Sequence, residues 1–231
     1  MIKIRKSLTR GHANHGWLKS FHSFSFASYY DPNHMHFGNL RVINEDFIAA
    51  GAGFGKHPHD NMEIITYVIS GALSHQDSMG NSSTILPGEV QIMSAGTGVY
   101  HSEFNHEKNS ETHLLQIWIL PKLKNIAPRY DQKSFAKDFQ KNDLVLVVSG
   151  SGRDDSIQIN QDADIFVGKF SAEKNFEFAV KQDRKIWIQM IAGKISVNGS
   201  ELKIGDAAAI SNESNLKILA QQGSEFLLFD L

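Results

Sequence analysis

The sequence predicts a mainly β chain built from two similar halves, and three observations carry that expectation. Short runs rich in Ile, Val, Leu and aromatic residues recur along the chain, set off by Gly, Asn and Pro; these residue types suit a pleated, half-buried surface. Helical periodicity is confined to two hints, "QKSFAKDF" (132–139) and "TRGHANHGWL" (9–18). The third observation is a repeated order of signals. "YVISGAL" around Gly71 is followed by "PGEVQIMS", and "QMIAGKI" around Gly193 is followed by "IGDAAAIS". Each half thus reads as strand, Gly turn, strand, then Gly-acid and a further strand, as a tandem duplication would.

The expected strands, in order, are "IKIRK" (2–6), "LRVIN" (40–44), "EIITYVIS" (63–70), "TILPGEVQIMS" (84–94) and "THLLQIWIL" (112–120). In the second half they are "KIWIQMIAG" (185–193), "KISVNG" (194–199) and "EFLLFDL" (225–231). "SVNGSELKI" reads as a hairpin, with Asn198-Gly199 supplying the positive φ angles of a tight turn. A polar stretch over 121–143 with Pro121 and Pro128, followed by the loop "SGSGRDDS" (149–156), marks the boundary. The expected division is an N-terminal domain over 1–130, a connecting segment over 131–143 and a C-terminal domain over 144–231.

Composition narrows the function. At 231 residues, 41% hydrophobic and 21% charged, the chain can bury a substantial core. Net charge is −2 and no run of like charges appears, so a basic surface for nucleic acid is not expected. The longest apolar stretches, such as "IITYVI" and "FLLF", are strand-sized, and no charged n-region with a long apolar core opens the chain. The expectation is a cytoplasmic monomer without membrane or nucleic-acid partners. With no cysteine, disulfides, thiolate nucleophiles and Cys-ligated zinc or iron–sulfur sites are excluded. Any metal must sit on nitrogen and oxygen. All eleven histidines lie between His12 and His113, so the first half uses imidazole and the second does not.

Two stretches concentrate the chemistry. In "GKHPHDNME" (55–63), His57 and His59 stand two apart, and on a strand such residues share a face. In "SAGTGVYHSEFN" (94–105), His101 and Glu103 repeat that spacing. Three imidazoles and a carboxylate brought together by antiparallel pairing form a site for Fe(II), Mn, Co, Ni, Cu or Zn. A six-coordinate ion on four protein ligands keeps two open positions, whereas zinc more often settles as a tetrahedron. Glu63, four past His59, shares the histidines' face under strict alternation and stays a candidate unless the Asp60–Met62 turn breaks the phase. The "GAGFG" run (51–55) lacks the Lys-Ser/Thr of a phosphate loop and reads as the bend into the histidine strand.

The glycine framework around these residues resembles the paired signatures of the cupin superfamily, G-x5-H-x-H-x3,4-E-x6-G and G-x5-P-x-G-x2-H-x3-N. Gly51, His57, His59, Gly98, His101 and Asn105 match. Seven residues rather than six separate Glu63 from Gly71, and Gly96 stands where the second signature has Pro. The stretches "RGHANHGWLKSFHSFSFASYYDP" (10–32), "HPHDNMEIITYV", "HQDSMGN" and "IMSAGTGVYHSEFN" are more specifically similar to the pirin family, closest to the bacterial pirin-like quercetin 2,3-dioxygenases. The likeness runs across nearly the whole chain.

That resemblance implies a bicupin, two tandem antiparallel β-barrel domains of jelly-roll type, with metal in the first only. It implies His57, His59, His101 and Glu103 as ligands of one divalent ion, most often Fe(II), and leaves Glu63 outside the set. The implied activity is cleavage of the central ring of a flavonol such as quercetin with O2, with Glu103 as the catalytic base. The rival reading within the family is a non-enzymatic metal-binding regulatory or redox-sensing protein that binds a transcription factor or enzyme partner. A cupin isomerase or zinc-dependent hydrolase is a weaker third. His12, His15 and His22 are expected to pack or cap. His75, His106 and His113 are read as ordinary polar positions, and Phe21, Phe24, Phe26, Tyr29 and Tyr30 as core before pocket wall. Counting from the matched glycines puts Ala179, Lys181, Ile218 and Ala220 where the ligands would fall in the second half. That half is therefore expected to hold no metal.

Overall fold

The computed structural model describes residues 1–231. It is almost entirely β and divides into two compact units. No helix is long and apolar enough to cross a membrane.

One unit comprises residues 11–136 and 159–161. Its strands are β2 (Gly11–Asn14), β3 (Leu18–His22), β4 (Leu40–Ile48), β5 (Gly53–His59), β6 (Glu63–Ser70) and β7 (Leu73–Asp77). They continue with β8 (Ser82–Ile85), β9 (Glu89–Ser94), β10 (Val99–Asn105), β11 (Thr112–Ile119) and β12 (Arg129–Ser134). A seven-stranded sheet in the order β12-β9-β6-β11-β4-β3-β2 accompanies a four-stranded sheet, β5-β10-β7-β8. Leu18, Ile48, Val68 and Leu114 of the large sheet pack with Leu73 and Ile85 of the small one. Ile64 and Met93 pack with Val99.

The other unit comprises residues 1–10, 137–158 and 162–231. It contains β1 (Ile2–Arg5), β13 (Leu144–Ser149), β14 (Ile157–Gln158), β15 (Asp164–Phe170), β16 (Lys174–Ala179) and β17 (Lys185–Ala192). The remaining strands are β18 (Lys194–Val197), β19 (Ser200–Lys203), β20 (Ala207–Ser211), β21 (Asn215–Ala220) and β22 (Ser224–Asp230). Its sheets run β1-β20-β17-β22-β15-β13-β14 and β16-β21-β18-β19. The plan repeats strand for strand: β4 to β11 in one unit correspond to β15 to β22 in the other. Each unit is a two-sheet jelly roll and not a closed barrel.

The compact units depart from the expected linear division at residues 1–10, 131–136 and 159–161. The first strand, Ile2–Arg5, pairs with β20, and residues 129–134 form β12 on β9 instead of a connector. Both helix hints also give way to strand pairing. In "TRGHANHGWL" the hairpin β2–β3 forms, His12 lying opposite Phe21. In "QKSFAKDF" residues 132–134 end β12, and one 3-10 turn at Asp138–Lys141 is all that follows. Ladder hydrogen bonds to a neighbouring strand outweigh the weak local propensity of such short segments. "TILPGEVQIMS" breaks at Pro87-Gly88 into β8 and β9, whereas the Asn198-Gly199 turn joins β18 to β19 as expected.

Gly71 and Gly193 occupy the same corner in the two units, with φ of 80° and 66°. A Cβ would meet Thr112 Oγ1 at 2.6 Å in one and Gly223 O at 2.8 Å in the other. Gly96, where the cupin signature has proline, has φ 48°, which a pyrrolidine ring cannot adopt.

Candidate metal centre

The second half of β5 faces β10, with His57 opposite His101 and His59 opposite Val99. Between His101 and Glu103 the register slips: one residue on β10, Ser102, stands against two on β5, Gly55 and Lys56, since Glu103 lies opposite Phe54. The extra residue at Gly55-Lys56 is a β-bulge, which bends a strand and re-aims its side chains. His57, His59 and His101 converge inside the unit with ring centroids 4.4 to 4.9 Å apart. Their ligand atoms all lie within 4.8 Å of one another. His57 Nδ1 lies 2.8 Å from Gly55 O. A carbonyl can only accept, so Nδ1 carries the proton and Nε2 is left as the lone pair.

Glu103 is 3% exposed and ties the small sheet to the large one. Gln116 Nε2 donates to its Oε2 at 3.0 Å, and Thr66 donates to Gln116 Oε1 at 2.9 Å. Oε1 of Glu103 has no partner, and neither ring nitrogen of the buried His101 has one. Burial pushes the Glu103 carboxyl up to about 7; Gln116 opposes that shift, while Asp46, held by a hydrogen bond from Ser20, adds to it. Burial, reinforced by the neighbouring imidazoles His57, His59 and His75, takes His101 down to about 2. His59 falls to about 4, again by burial first and His57 second. Both rings are therefore neutral lone-pair donors at neutral pH.

This donor set fits a divalent cation. A buried acceptor left without a partner costs about 1–3 kcal/mol, and here several unpartnered lone pairs converge. Three imidazole nitrogens suit a borderline metal, and the Glu103 carboxylate lies beside His101 in a second group.

Glu63 lies apart from this cluster. Asn61 takes φ 46°, so the chain leaves β5, and Glu63 begins β6 in the large sheet. Its Oε2 accepts from Ser94 at 2.8 Å and from the Asn160 amide at 3.2 Å. His22 is buried against Asn44, His113 pairs with Glu45 and His106 with Ser74, while His12 and His15 are exposed. Phe24 is core, but Tyr30 is 72% exposed. Phe26 belongs to a wall instead: it meets Trp118 edge to face, and Trp118 meets His59 the same way at 5.0 Å. That follows from tertiary contact, which spacing within 10–32 could not reveal.

Sequence reasoning missed His75. It is 1% exposed and stands directly across the ladder from Glu103. It groups with His101 and Glu103, ligand atoms again within 4.8 Å. The available signal was "HQD", an i, i+2 pair like His57 and His59: His75 Nε2 lies 3.2 Å from Asp77 Oδ2.

Comparison with known proteins agrees with this architecture. Residues 2–119 match the pirin family model, and residues 146–231 match the quercetinase C-terminal cupin domain. Quercetin 2,3-dioxygenase of Escherichia coli O157:H7 is 48% identical over 231 residues, covering 100% of this chain and 99% of that protein. A pirin-like protein of Caulobacter vibrioides is 44% identical over 95% of each chain. The crystal structure of the bacterial pirin YhhW from Escherichia coli in complex with nickel(II) superimposes with TM-score 0.95 at 48% identity, covering 100% and 99% of the two chains. The chain belongs to the pirin family.

Proposed function

We propose that His57, His59, His101 and Glu103 hold one divalent ion, iron(II) in the working protein, and that the chain is a dioxygenase opening the central ring of a flavonol such as quercetin. The observation that carries this reading is the buried, unpartnered lone pairs of His101 and Glu103, His101 grouping both with His57 and His59 and with Glu103. The full-length relative named quercetin 2,3-dioxygenase supplies the substrate class.

When bound, the ion supplies Lewis acidity and open coordination positions, lowering the pKa of an attached hydroxyl. The residues do the rest. Three neutral imidazoles and one carboxylate leave a net positive charge to hold a flavonol as its oxyanion. Glu103, anchored through Oε2 by Gln116, would act as general base by releasing Oε1 from the ion to take the flavonol hydroxyl proton. Phe26 and Trp118 give an apolar wall for aromatic rings. Overall, one O2 is consumed, both its atoms enter the cleaved product, and one ring carbon leaves as carbon monoxide.

The test is O2 uptake and carbon monoxide release with quercetin, comparing iron-loaded and metal-stripped protein. A saturable, metal-dependent rate is expected. Equal rates would shift the assignment to the non-enzymatic regulatory reading.

A further inference from the structure

We propose that His75 is a positioning residue for the metal centre: Asp77 fixes its tautomer, and its Nδ1 accepts a hydrogen bond from the ring N–H of His101. This rests on His101 being a ligand.

The hydrogen bonds dictate the tautomer. Asp77 Oδ1 accepts from the Met79 and Asn81 amides at 2.9 and 3.1 Å. Oδ2 accepts from Asn81 Nδ2 at 2.8 Å and faces His75 Nε2 at 3.2 Å. A carboxylate so supplied with donors can only accept, so the His75 proton sits on Nε2. In the neutral ring Nδ1 is then a bare lone pair, buried and without a partner.

What faces that lone pair is limited. His101 and Glu103 each place a ligand atom within 4.8 Å of a ring nitrogen of His75, and the Tyr130 ring lies 4.9 Å away but gives its hydroxyl proton to Gln132 Oε1. In the metal-bound protein Glu103 is ionised, so its oxygens can only accept. His101 is the group with a proton to give, because a neutral imidazole must carry one on Nδ1 or Nε2, and both are unpartnered. The His101 ring lies 4.4 and 4.8 Å from His57 and His59, and 5.3 Å from His75. One nitrogen can thus point its lone pair at the ion while the other donates to His75. For His57 the same service comes from Gly55 O. Metal-bound histidines generally need such an acceptor, which fixes ring orientation and raises basicity.

Zinc-loaded full-length protein with 15N-labelled histidine gives the direct test. Long-range proton–nitrogen correlation spectra should show His75 as the Nε2–H tautomer, and a coupling across an N–H···N bond should link its Nδ1 to His101. A His75 carrying its proton on Nδ1, or with Nδ1 shifted as a zinc-bound nitrogen, overturns the proposal. Three variants give a second measure by zinc competition with a chelator. His75→Leu removes both ring functions. His75→Gln keeps a donor for Asp77 but no acceptor at the δ position, whereas His75→Asn keeps an acceptor there. Leu and Gln should weaken zinc about 10- to 100-fold, and Asn should stay close to the parent. Gln binding as tightly as Asn overturns the proposal. Failure of the parent to bind zinc at all defeats the metal-centre reading on which it rests. The spectra need no variant, so a misfolding substitution does not blunt the test.

Discussion

The two units share a strand plan but fill it with opposite chemistry. Leu73 and Ile195 each follow the corner glycine by two residues and face Asn105 and Ala220 respectively. Stepping back along β10 and β21 aligns Glu103 with Ile218 and His101 with Leu216. Their cross-strand partners align His57 with Phe178 and His75 with Val197. His59 falls on Val180, whose amide bonds Ser214 O. The second-half equivalents are thus Phe178 and Val180, one residue before the counted Ala179 and Lys181. On β21 they are Leu216 and Ile218, two before the counted Ile218 and Ala220. The difference lies in the turns, which counting from glycines cannot register: His59 to Glu63 is four steps where Val180 to Lys185 is five, and Ser94 to His101 is seven where Ser211 to Leu216 is five. Val180, Val197, Leu216 and Ile218 all lie in one apolar core.

That contrast separates what builds the fold from what builds the site. Burying a Val, Leu, Ile or Phe contributes about 1.5–3 kcal/mol, so the apolar unit needs nothing further at these positions. The polar unit places His75, His101 and Glu103 there with lone pairs unpartnered, which destabilises the metal-free fold and is offset when an ion binds. The shared strand pairings carry both versions.

Exchanging residues across this correspondence should break it most sharply. His101→Leu, the residue of the other unit, should abolish stoichiometric metal binding while leaving the metal-free melting temperature unchanged or higher. His59→Ala should also lose the metal and retain the β circular dichroism spectrum. Full occupancy in either variant, measured by elemental analysis, would contradict the ligand assignment. The reverse exchange, Leu216→His, puts an imidazole into an apolar core where Leu216 is 0% exposed. It should cost about 2–5 kcal/mol in denaturant unfolding and gain no ion.

A smaller effect is the pH dependence of metal affinity. His59 and His101, lowered to about 4 and about 2, are already neutral above pH 5 and have no proton to release. Glu103, raised to about 7, is protonated below that value in the metal-free protein and must lose its proton to bind. Affinity should therefore rise about tenfold per pH unit up to about 7, one proton being released, and level off above. A flat profile from pH 5.5 to 8 would mean that Glu103 is not a ligand. Smallest is Glu63→Gln, which should leave metal content intact and lower stability by about 1 kcal/mol through its bonds to Ser94 and Asn160.

Local spacing made the larger part of the candidate site legible. His57 with His59, and His101 with Glu103, are i, i+2 pairs whose shared face needs no tertiary information, and the glycine corners flagged both jelly rolls. What stayed hidden depends on which strand lies beside which. His75 acquires meaning from standing opposite Glu103, Trp118 from meeting His59, and β1 from pairing with a strand some two hundred residues away. Glu63 was left open by alternation, and the positive φ at Asn61 sends it to the other sheet.

Anomalous diffraction at the iron edge, on crystals of protein loaded anaerobically with Fe(II), tests the central claim most directly. The account predicts one peak, bonded to the side chains of His57, His59, His101 and Glu103, and no ion among Phe178, Val180, Leu216 and Ile218. A peak bound by Glu63 in place of Glu103, or no peak in the histidine cluster, would contradict it.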